Sequence, residues 1–136
     1  MKGGSFIKTF ERQTGRILLK LQIVWMGEDI CLILTGGDRP HIGAVAVAQV
    51  RASLESEEKL SSSVSNITIL GHKEDEIARK MASIAAVTAH SNAAVCCGIH
   101  SDNMTQGEIG TILDACHELL KEAMEYILNL KKKEVQ

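Results

Sequence analysis

The sequence predicts an α+β fold, a mostly antiparallel β-sheet with two helices packed on one face. Two observations lead to this prediction. Up to about residue 70, the chain carries short segments with the alternating or continuous apolar pattern of strands. After that point, two segments have the spacing of amphipathic helices, and one more strand-like segment separates them. We expect the 136 residues, 45% of them hydrophobic, to form a single domain spanning 1–136.

The first strands form a predicted meander. Residues 5–10 suit a short edge strand that is followed by a turn signal. Apolar side chains then alternate strictly from Ile17 to Trp25, which predicts a strand with one buried face. A short reversal at 27–29 leads into the unbroken apolar run 30–34. These two segments therefore predict an antiparallel hairpin.

The middle of the chain contains two more strand-like segments and a polar one. Residues 42–50 are small and β-branched, as is typical of a strand. Residues 51–65 carry several charges and a run of serines, so we expect a solvated surface loop there. Residues 66–70 predict another short strand, with Ile67 and Ile69 on one face.

Helical spacing begins after these strands. The stripe that starts at Ile77 predicts a helix from 71 to about 90, with acidic residues near its positive N-terminal end. Residues 93–100 are small and apolar, which predicts a central strand. The order of elements is therefore a meander of strands followed by helix, strand and helix.

The last helix has a wide apolar face. Thr105 and Glu108 form a capping box at its start, and apolar side chains recur at helical spacing to Leu128. From Leu130 onward we expect a frayed tail with three lysines. Because this face is broader than packing on a sheet requires, the sequence favours contact with another subunit and hence a homo-oligomer.

Composition argues against several classes of function. The net charge is −2 and aromatic residues make up 3% of the chain, which disfavours nucleic-acid partners. No secretory segment is recognisable after Met1, and no apolar run approaches membrane-spanning length. We therefore expect a cytoplasmic protein without a membrane partner. The four cysteines lie in apolar or helical segments and are predicted to be buried free thiols.

The stretch 34–43 concentrates unusual residues between two predicted strands. Gly36 and Gly37 allow close approach of a backbone or a ligand, and Pro40 stiffens the loop. Arg39 and His41 add a guanidinium and an imidazole, so the loop has the components of an anion site. The alternative interpretation is a plain hairpin connection with a Gly-Gly turn.

Three histidines lie at the ends of predicted elements, namely His41, His72 and His100. Such imidazoles suit either a metal site or hydrogen bonding around an anionic ligand, and whether a metal is bound stays open. No serine occupies a nucleophile elbow, and the Cys96–Cys97 pair lies in an apolar strand where thiols are unreactive. One hypothesis is therefore a small metal-dependent or histidine-based enzyme acting on an anionic small molecule.

Several motifs, in the same order, resemble a known family over about residues 30–115. They are Thr-Gly-Gly with Pro-His-Ile-Gly at 35–43, His-Lys at 72–73, Arg-Lys-Met-Ala at 79–82, Gly-Ile-His at 98–100 and Thr-Gln-Gly-Glu-Ile at 105–109. Together they resemble the small D subunit of gallate-type non-oxidative hydroxyarylic acid decarboxylases, which is a prenylated-flavin chaperone-like domain.

The resemblance implies an accessory protein that binds or delivers prenylated flavin mononucleotide, or flavin mononucleotide itself, for a prenylated-flavin-dependent decarboxylase. A flavin phosphate would then be the anion at the loop. The implied cofactor-binding residues are Gly36, Gly37, His41, Gly43, His72 and His100, and Arg39 joins them on its chemistry. No catalytic residue is implied. A further hypothesis is a structural decarboxylase subunit that binds no ligand, and the sequence leaves open whether the chain is an enzyme.

Overall fold

The computed structural model describes residues 7–55, 58–69 and 74–135. Six strands and two helices follow in chain order: β1 (Ile7–Thr14), β2 (Ile17–Met26), β3 (Asp29–Gly37), β4 (Ala44–Ala52), β5 (Leu60–Thr68), α1 (Asp75–Ala89), β6 (Ala93–His100) and α2 (Gln106–Val135). The strands form one sheet. The predicted α+β fold with a mostly antiparallel sheet is thus confirmed.

The strand order in the sheet is β1-β2-β3-β6-β4-β5. Only β3 and β6 pair in parallel, and every other pair is antiparallel. Because β6 lies between β3 and β4, these two strands are not neighbours. The connection between them, residues 38–43, is called the crossing loop below. The interpretation of this stretch as a hairpin connection is therefore wrong, since a hairpin would join adjacent strands.

The N-terminal meander follows directly from local sequence. Ile17, Leu19, Leu21 and Ile23 of β2 are buried toward the helices, as their alternation predicts. Gly27, with φ of 66°, makes the tight turn into β3, a backbone conformation that glycine adopts without a Cβ clash. The predicted β2–β3 hairpin is confirmed by its register.

The predicted loop at 51–65 is wrong, because most of it belongs to strands. β4 continues to Ala52, and β5 begins at Leu60. β5 is an edge strand, so its serines can face water while its backbone pairs with β4. Some of these serines also bond within the protein: the hydroxyls of Ser62 and Ser83 lie 2.7 Å apart. Two predicted boundaries, at residues 5–6 and at residue 70, lie outside the described residues.

The helices are close to the predictions. α1 lies on β4, β5 and β6 and ends at His90, whose φ is 54°; its predicted first residues, 71–73, lie outside the described part. The capping box is confirmed, since the Thr105 N–H donates to Glu108 Oε1 and the Glu108 N–H to Thr105 Oγ1, both at 3.1 Å. The predicted frayed tail is wrong, because α2 continues to Val135. Lysines near a helix C-terminus are favourable there.

Both helices lie on the same face of the sheet. α1 packs on the β4 side and α2 on β1 and β2, and their apolar residues share one core with the sheet. Among the described residues, no helix covers the opposite face. None of the described helices is both long and apolar enough to cross a membrane.

Candidate functional site

The crossing loop is fastened to the end of β6. The backbone N–H of Gly43 donates to the carbonyl of Cys97 at 2.8 Å, and that of Arg39 donates to the carbonyl of His100 at 3.3 Å. These bonds continue the pairing of β6 with its two neighbours into the loop. The central stretch and His100, which are far apart in sequence, are therefore adjacent in the fold.

Two glycines make this close approach possible. A Cβ at Gly98 would overlap the carbonyl oxygen of His41, and a Cβ at Gly37 would overlap that of His100. Gly37 also has φ of 87°, a conformation that side chains rarely adopt. The space above these glycines is thus occupied by the protein's own backbone.

Gly36 and Gly43 are packed in a similar way. A side chain at Gly36 would lie 2.7 Å from Leu19 Cδ2, and one at Gly43 would lie 2.5 Å from Glu74 Oε2. The amide of Gly43 is already bonded to Cys97. These glycines therefore shape the site by allowing close packing of the chain. The groups that could contact a ligand here are side chains.

Four polar side chains form a group, the His100 cluster, consisting of Arg39, His41, His100 and Asp102. Arg39, His100 and Asp102 reach the surface, whereas both ring nitrogens of His41 are buried. Arg39 Nη2 lies 2.5 Å from Asp102 Oδ1 and 3.0 Å from His100 Nε2. His100 Nε2 is also 3.2 Å from Asp102 Oδ1. The rings of His41 and His100 lie edge to face, with centroids 5.8 Å apart.

The electrostatics of the His100 cluster centre on Asp102. Its pKa is lowered, first by the hydrogen bond with His100 and then by the charge of Arg39. A single ring nitrogen cannot accept from Arg39 and donate to Asp102 at once, so the tautomer of His100 selects one of the two bonds. The side chains of Arg39 and Asp102 are 67% and 62% exposed, so this ion pair can exchange partners readily.

An apolar groove of about 350 Å³ adjoins the His100 cluster. It lies between the start of α1, the end of β6 and the first half of α2, and His100 belongs to both features. The apolar groove is lined by Ile77, Ile99, Met104, Ile109, Ile112, Leu113 and Cys116, with the carboxylates Glu74 and Glu76. A molecule with an apolar body and an anionic end could therefore span the groove and the cluster.

A smaller cavity of about 210 Å³ lies on the other side of the crossing loop. Thr35, His41 and Cys96 are among its lining residues. The crossing loop thus separates two cavities, with His41 at one and His100 at the other.

All four cysteines are free, as predicted, but only two of them are buried. Burial raises the pKa of the Cys116 thiol to about 12 and also raises that of Cys97. Cys31 and Cys96 are half-buried, in contrast to the prediction, because their side chains lie on the face of the sheet that neither described helix covers. The two buried thiols are therefore poor nucleophiles.

The structure brings together five of the predicted site residues: Gly37, Arg39, His41, Gly43 and His100. Gly36 lies one residue earlier in β3, packed against β2. His72 lies outside the described residues. In the described part of the chain, no three His, Cys, Asp or Glu side chains are placed to hold a metal ion.

Sequence reasoning missed Asp102 and Gly98. Asp102 follows His100 by two residues in a loop, and this spacing was its only signal. Gly98 belongs to the Gly-Ile-His motif, but its contact with His41 depends on the position of β6 in the sheet. Neither the contacts of Asp102 nor the close packing at Gly98 can be predicted from local periodicity.

Proteins of known structure share the fold of this chain. No curated protein matches. A chain from the crystal structure of a novel chaperone complex for yeast 20S proteasome assembly has a similar fold, with a TM-score of 0.50 and 18% identity. That match covers 91% of this chain and 99% of the other, and at this identity it shows the fold alone.

The comparison with family models identifies a family. The model of the prenylated flavin chaperone LpdD-like domain matches residues 13–128, which include every strand from β2 to β6, α1 and most of α2. The match also contains the crossing loop and the His100 cluster. The chain therefore belongs to the prenylated flavin chaperone LpdD-like domain family.

Proposed function

We propose that the chain binds prenylated flavin mononucleotide, or its unprenylated precursor, and delivers it to a prenylated-flavin-dependent decarboxylase. The observation that carries this proposal is the apolar groove beside the His100 cluster. Family membership supports a chaperone-like role connected with prenylated flavin. The groove and the cluster supply a chemically suitable place for such a ligand.

The lining of the apolar groove fits the flavin ring system and its prenyl-derived extension. Its side chains are mostly aliphatic, and its volume of about 350 Å³ lies within the range of small-molecule pockets. Isoleucine, leucine and methionine can pack on both faces of a planar ring without aromatic stacking. The scarcity of aromatic residues in this chain is therefore compatible with flavin binding.

The His100 cluster fits the phosphate. Arg39 presents several N–H donors in a planar fork, and His100 can add one more. The ring nitrogens of His41 are buried beside them, so His41 would donate only if its ring turned toward the ligand. The guanidinium of Arg39 forms an ion pair with the carboxylate of Asp102, so a phosphate would compete with Asp102 for Arg39. A bound phosphate would stay near water, because Arg39 and Asp102 are both largely exposed.

This exposure suits a carrier. A tightly enclosed phosphate would be released slowly, whereas an ion pair at the surface can be replaced by the groups of a receiving enzyme. The one thiol among the described residues that line the groove, Cys116, is a poor nucleophile, because burial raises its pKa to about 12. Transfer of an unchanged cofactor is therefore the function that this geometry favours.

Titration with flavin mononucleotide and with its prenylated form, followed by flavin fluorescence, tests the binding step. We expect saturable binding with one ligand per chain. Reconstitution of an apo-decarboxylase with and without the chain then tests delivery. Absence of saturable binding to either flavin would contradict the proposal. Capture of the decarboxylase with no flavin binding would instead favour the structural-subunit hypothesis.

A further inference from the structure

The face of the sheet opposite the helices has an apolar centre. Six side chains of the three central strands form it, and this set is called the open face: Cys31 and Ile33 of β3, Val45 and Val47 of β4, and Ala94 and Cys96 of β6. Register places Cys31, Ala94 and Val47 in one row across the strands. Ile33, Cys96 and Val45 form the next row.

The open face is only partly covered by the described chain. Val47 is 45% exposed, and Ile67 on the adjoining strand β5 is 68% exposed. By contrast, the alternate residues of the same strands, such as Leu32, Ala46 and Val95, are fully buried under the helices. The apolar character of these strands thus extends to a side that no second layer of the described residues covers.

The strand sequences show that only the central strands of the sheet are apolar on both faces. Strands that are buried on both faces have continuous apolar runs, whereas strands with one solvated face alternate. β3, β4 and β6 contain continuous apolar runs. β2, by contrast, places the polar residues Lys20 and Gln22 on the same side as the open face. The sequence of the central strands therefore suits burial on both sides.

Charge indicates what could cover the open face. None of its six residues is charged, so it offers no complement to an acidic or a basic partner. Two charged side chains on the same side of the sheet have partners: Lys20 pairs with Glu11 at 3.9 Å, and Arg51 Nε donates to Ser63 Oγ at 2.8 Å. A neutral, nearly flat apolar surface is complementary to itself, and a two-fold axis places it against its own copy.

The whole side of the sheet that carries the open face at its centre is large enough for a stable dimer. Six strands about 4.8 Å apart, with about nine residues each at roughly 3.3 Å per residue, give this side an area of about 850 Å², with Lys20, Gln22 and Arg51 toward its edges. This is close to the area of about 800 Å² that each partner buries in a standard interface. The small side chains of the open face suit two sheets packed about 10 Å apart.

We propose that two copies of this chain pack open face against open face, giving a four-layer particle of helix, sheet, sheet and helix. The proposal does not depend on flavin binding. The apolar groove stays on the outside, between the helices and the end of β6. The smaller cavity at His41 shares Ile33 and Cys96 with the open face, so it would lie at the edge of the interface.

Sedimentation velocity of the full chain over a wide concentration range is the first test. We expect a particle of twice the chain mass of 14.8 kDa. Val47→Lys places a charge in the centre of the open face and should raise the dimer dissociation constant about 100-fold or more. Leu128→Lys is the matched control, because Leu128 is 47% exposed but lies on α2. It should leave the dimer intact.

Thiol labelling provides a second readout. Cys31 and Cys96 lie on the open face, and Cys97 and Cys116 lie in the core. A maleimide should label the first pair slowly in the wild type and faster in Val47→Lys. If Val47→Lys fails to fold by circular dichroism, Ile67→Lys on the exposed edge strand replaces it, with a smaller expected loss of dimer.

Three outcomes of the oligomerisation and labelling experiments would overturn the proposal. They are a wild type that is monomeric at every concentration, a dimer that Leu128→Lys breaks and Val47→Lys does not, and equal labelling of Cys31 and Cys96 in the wild type and a folded open-face variant. Loss of decarboxylase capture in Val47→Lys, with the dimer retained, would assign the open face to that partner instead and would also overturn it.

Discussion

The carbonyl oxygen of His41 lies against the Cα of Gly98 so closely that no side chain fits at position 98. This contact sets the height at which the crossing loop passes over β6. It also fixes the distance between the rings of His41 and His100, whose centroids are 5.8 Å apart. The shape of the candidate site therefore depends on the absence of one methyl group.

Replacement of Gly98 by alanine should destabilise the protein, because the new Cβ must displace the backbone of His41. We expect a loss of about 2 kcal/mol or more in the free energy of unfolding, as for other overpacked positions. Urea denaturation measures it. Gly110→Ala is the control, since a Cβ there meets nothing within 4 Å and α2 should gain about 0.5–1 kcal/mol. Equal stability of the two variants would contradict the role of Gly98.

His41→Ala should weaken flavin binding. Loss of one charge-assisted hydrogen bond costs about 1.5–3 kcal/mol, or roughly 10- to 150-fold in the dissociation constant. His117→Ala is the control, because His117 lies beside Lys80 in a different groove, between the helices. Fluorescence titration with flavin mononucleotide gives both affinities. If both variants bind as the wild type does, the crossing loop is only a connection.

Asp102→Asn should strengthen binding of the phosphate end. The carboxylate of Asp102 pairs with Arg39 and repels an incoming anion. The uncharged amide of asparagine would pair with Arg39 more weakly and would repel the anion less. We expect a several-fold lower dissociation constant for flavin mononucleotide. Glu122→Gln, which removes a carboxylate paired with Arg12, should leave the affinity unchanged. Weaker binding by Asp102→Asn alone would show that the carboxylate positions the ligand.

Leu113→Glu should reduce affinity for both flavins, because it places a charge in the apolar groove where the ring is proposed to lie. The reduction should be larger for the prenylated form, which has more apolar surface to bury. Leu128→Glu provides the comparison, because both leucines are exposed on α2, at 42% and 47%, and only Leu113 lines the apolar groove. Equal effects of the two substitutions would place the ligand elsewhere.

Stability should fall at alkaline pH because of the buried thiols. Burial raises the pKa of Cys116 from 9.0 to about 12. Below pH 9 this thiol is protonated in both the folded and the unfolded state. Between about pH 9 and 12 only the unfolded state releases the proton, so this thiol alone lowers the free energy of unfolding by about 1.4 kcal/mol per pH unit. Urea denaturation across this range should give a shallower slope for Cys116→Ala. Identical slopes would contradict burial of the thiol.

The fold was predictable where the signal is local. The alternation of β2 and the apolar stripes of α1 and α2 each depend on neighbouring residues, and these elements occur where the patterns place them. Only the end of β5 was predicted, by the strand expected at residues 66–70; its serine-rich first part was missed because an edge strand of this composition lacks an apolar face. The insertion of β6 between β3 and β4 was not predictable, since strand order depends on contacts between distant parts of the chain.

The candidate site was predictable only in outline. Residues at element ends can converge, and His41 and His100 do. The partner of Arg39, Asp102, is 63 residues away in sequence, so their ion pair requires the strand order to be known. Gly36 and Gly37 were predicted to allow close approach of a backbone or a ligand, and the structure shows backbone and side-chain atoms of the chain itself in that space.

The central position of β6 also constrains how the protein folds. β3 and β4 are joined by a short loop, yet they must stay one strand apart until residues 93–100 arrive. A chain emerging from the ribosome can form the β2–β3 and β4–β5 hairpins early, because both are local. The sheet can close only when β6 enters between them. Until then both hairpins expose unpaired strand edges, which makes the incomplete chain the species most prone to aggregation.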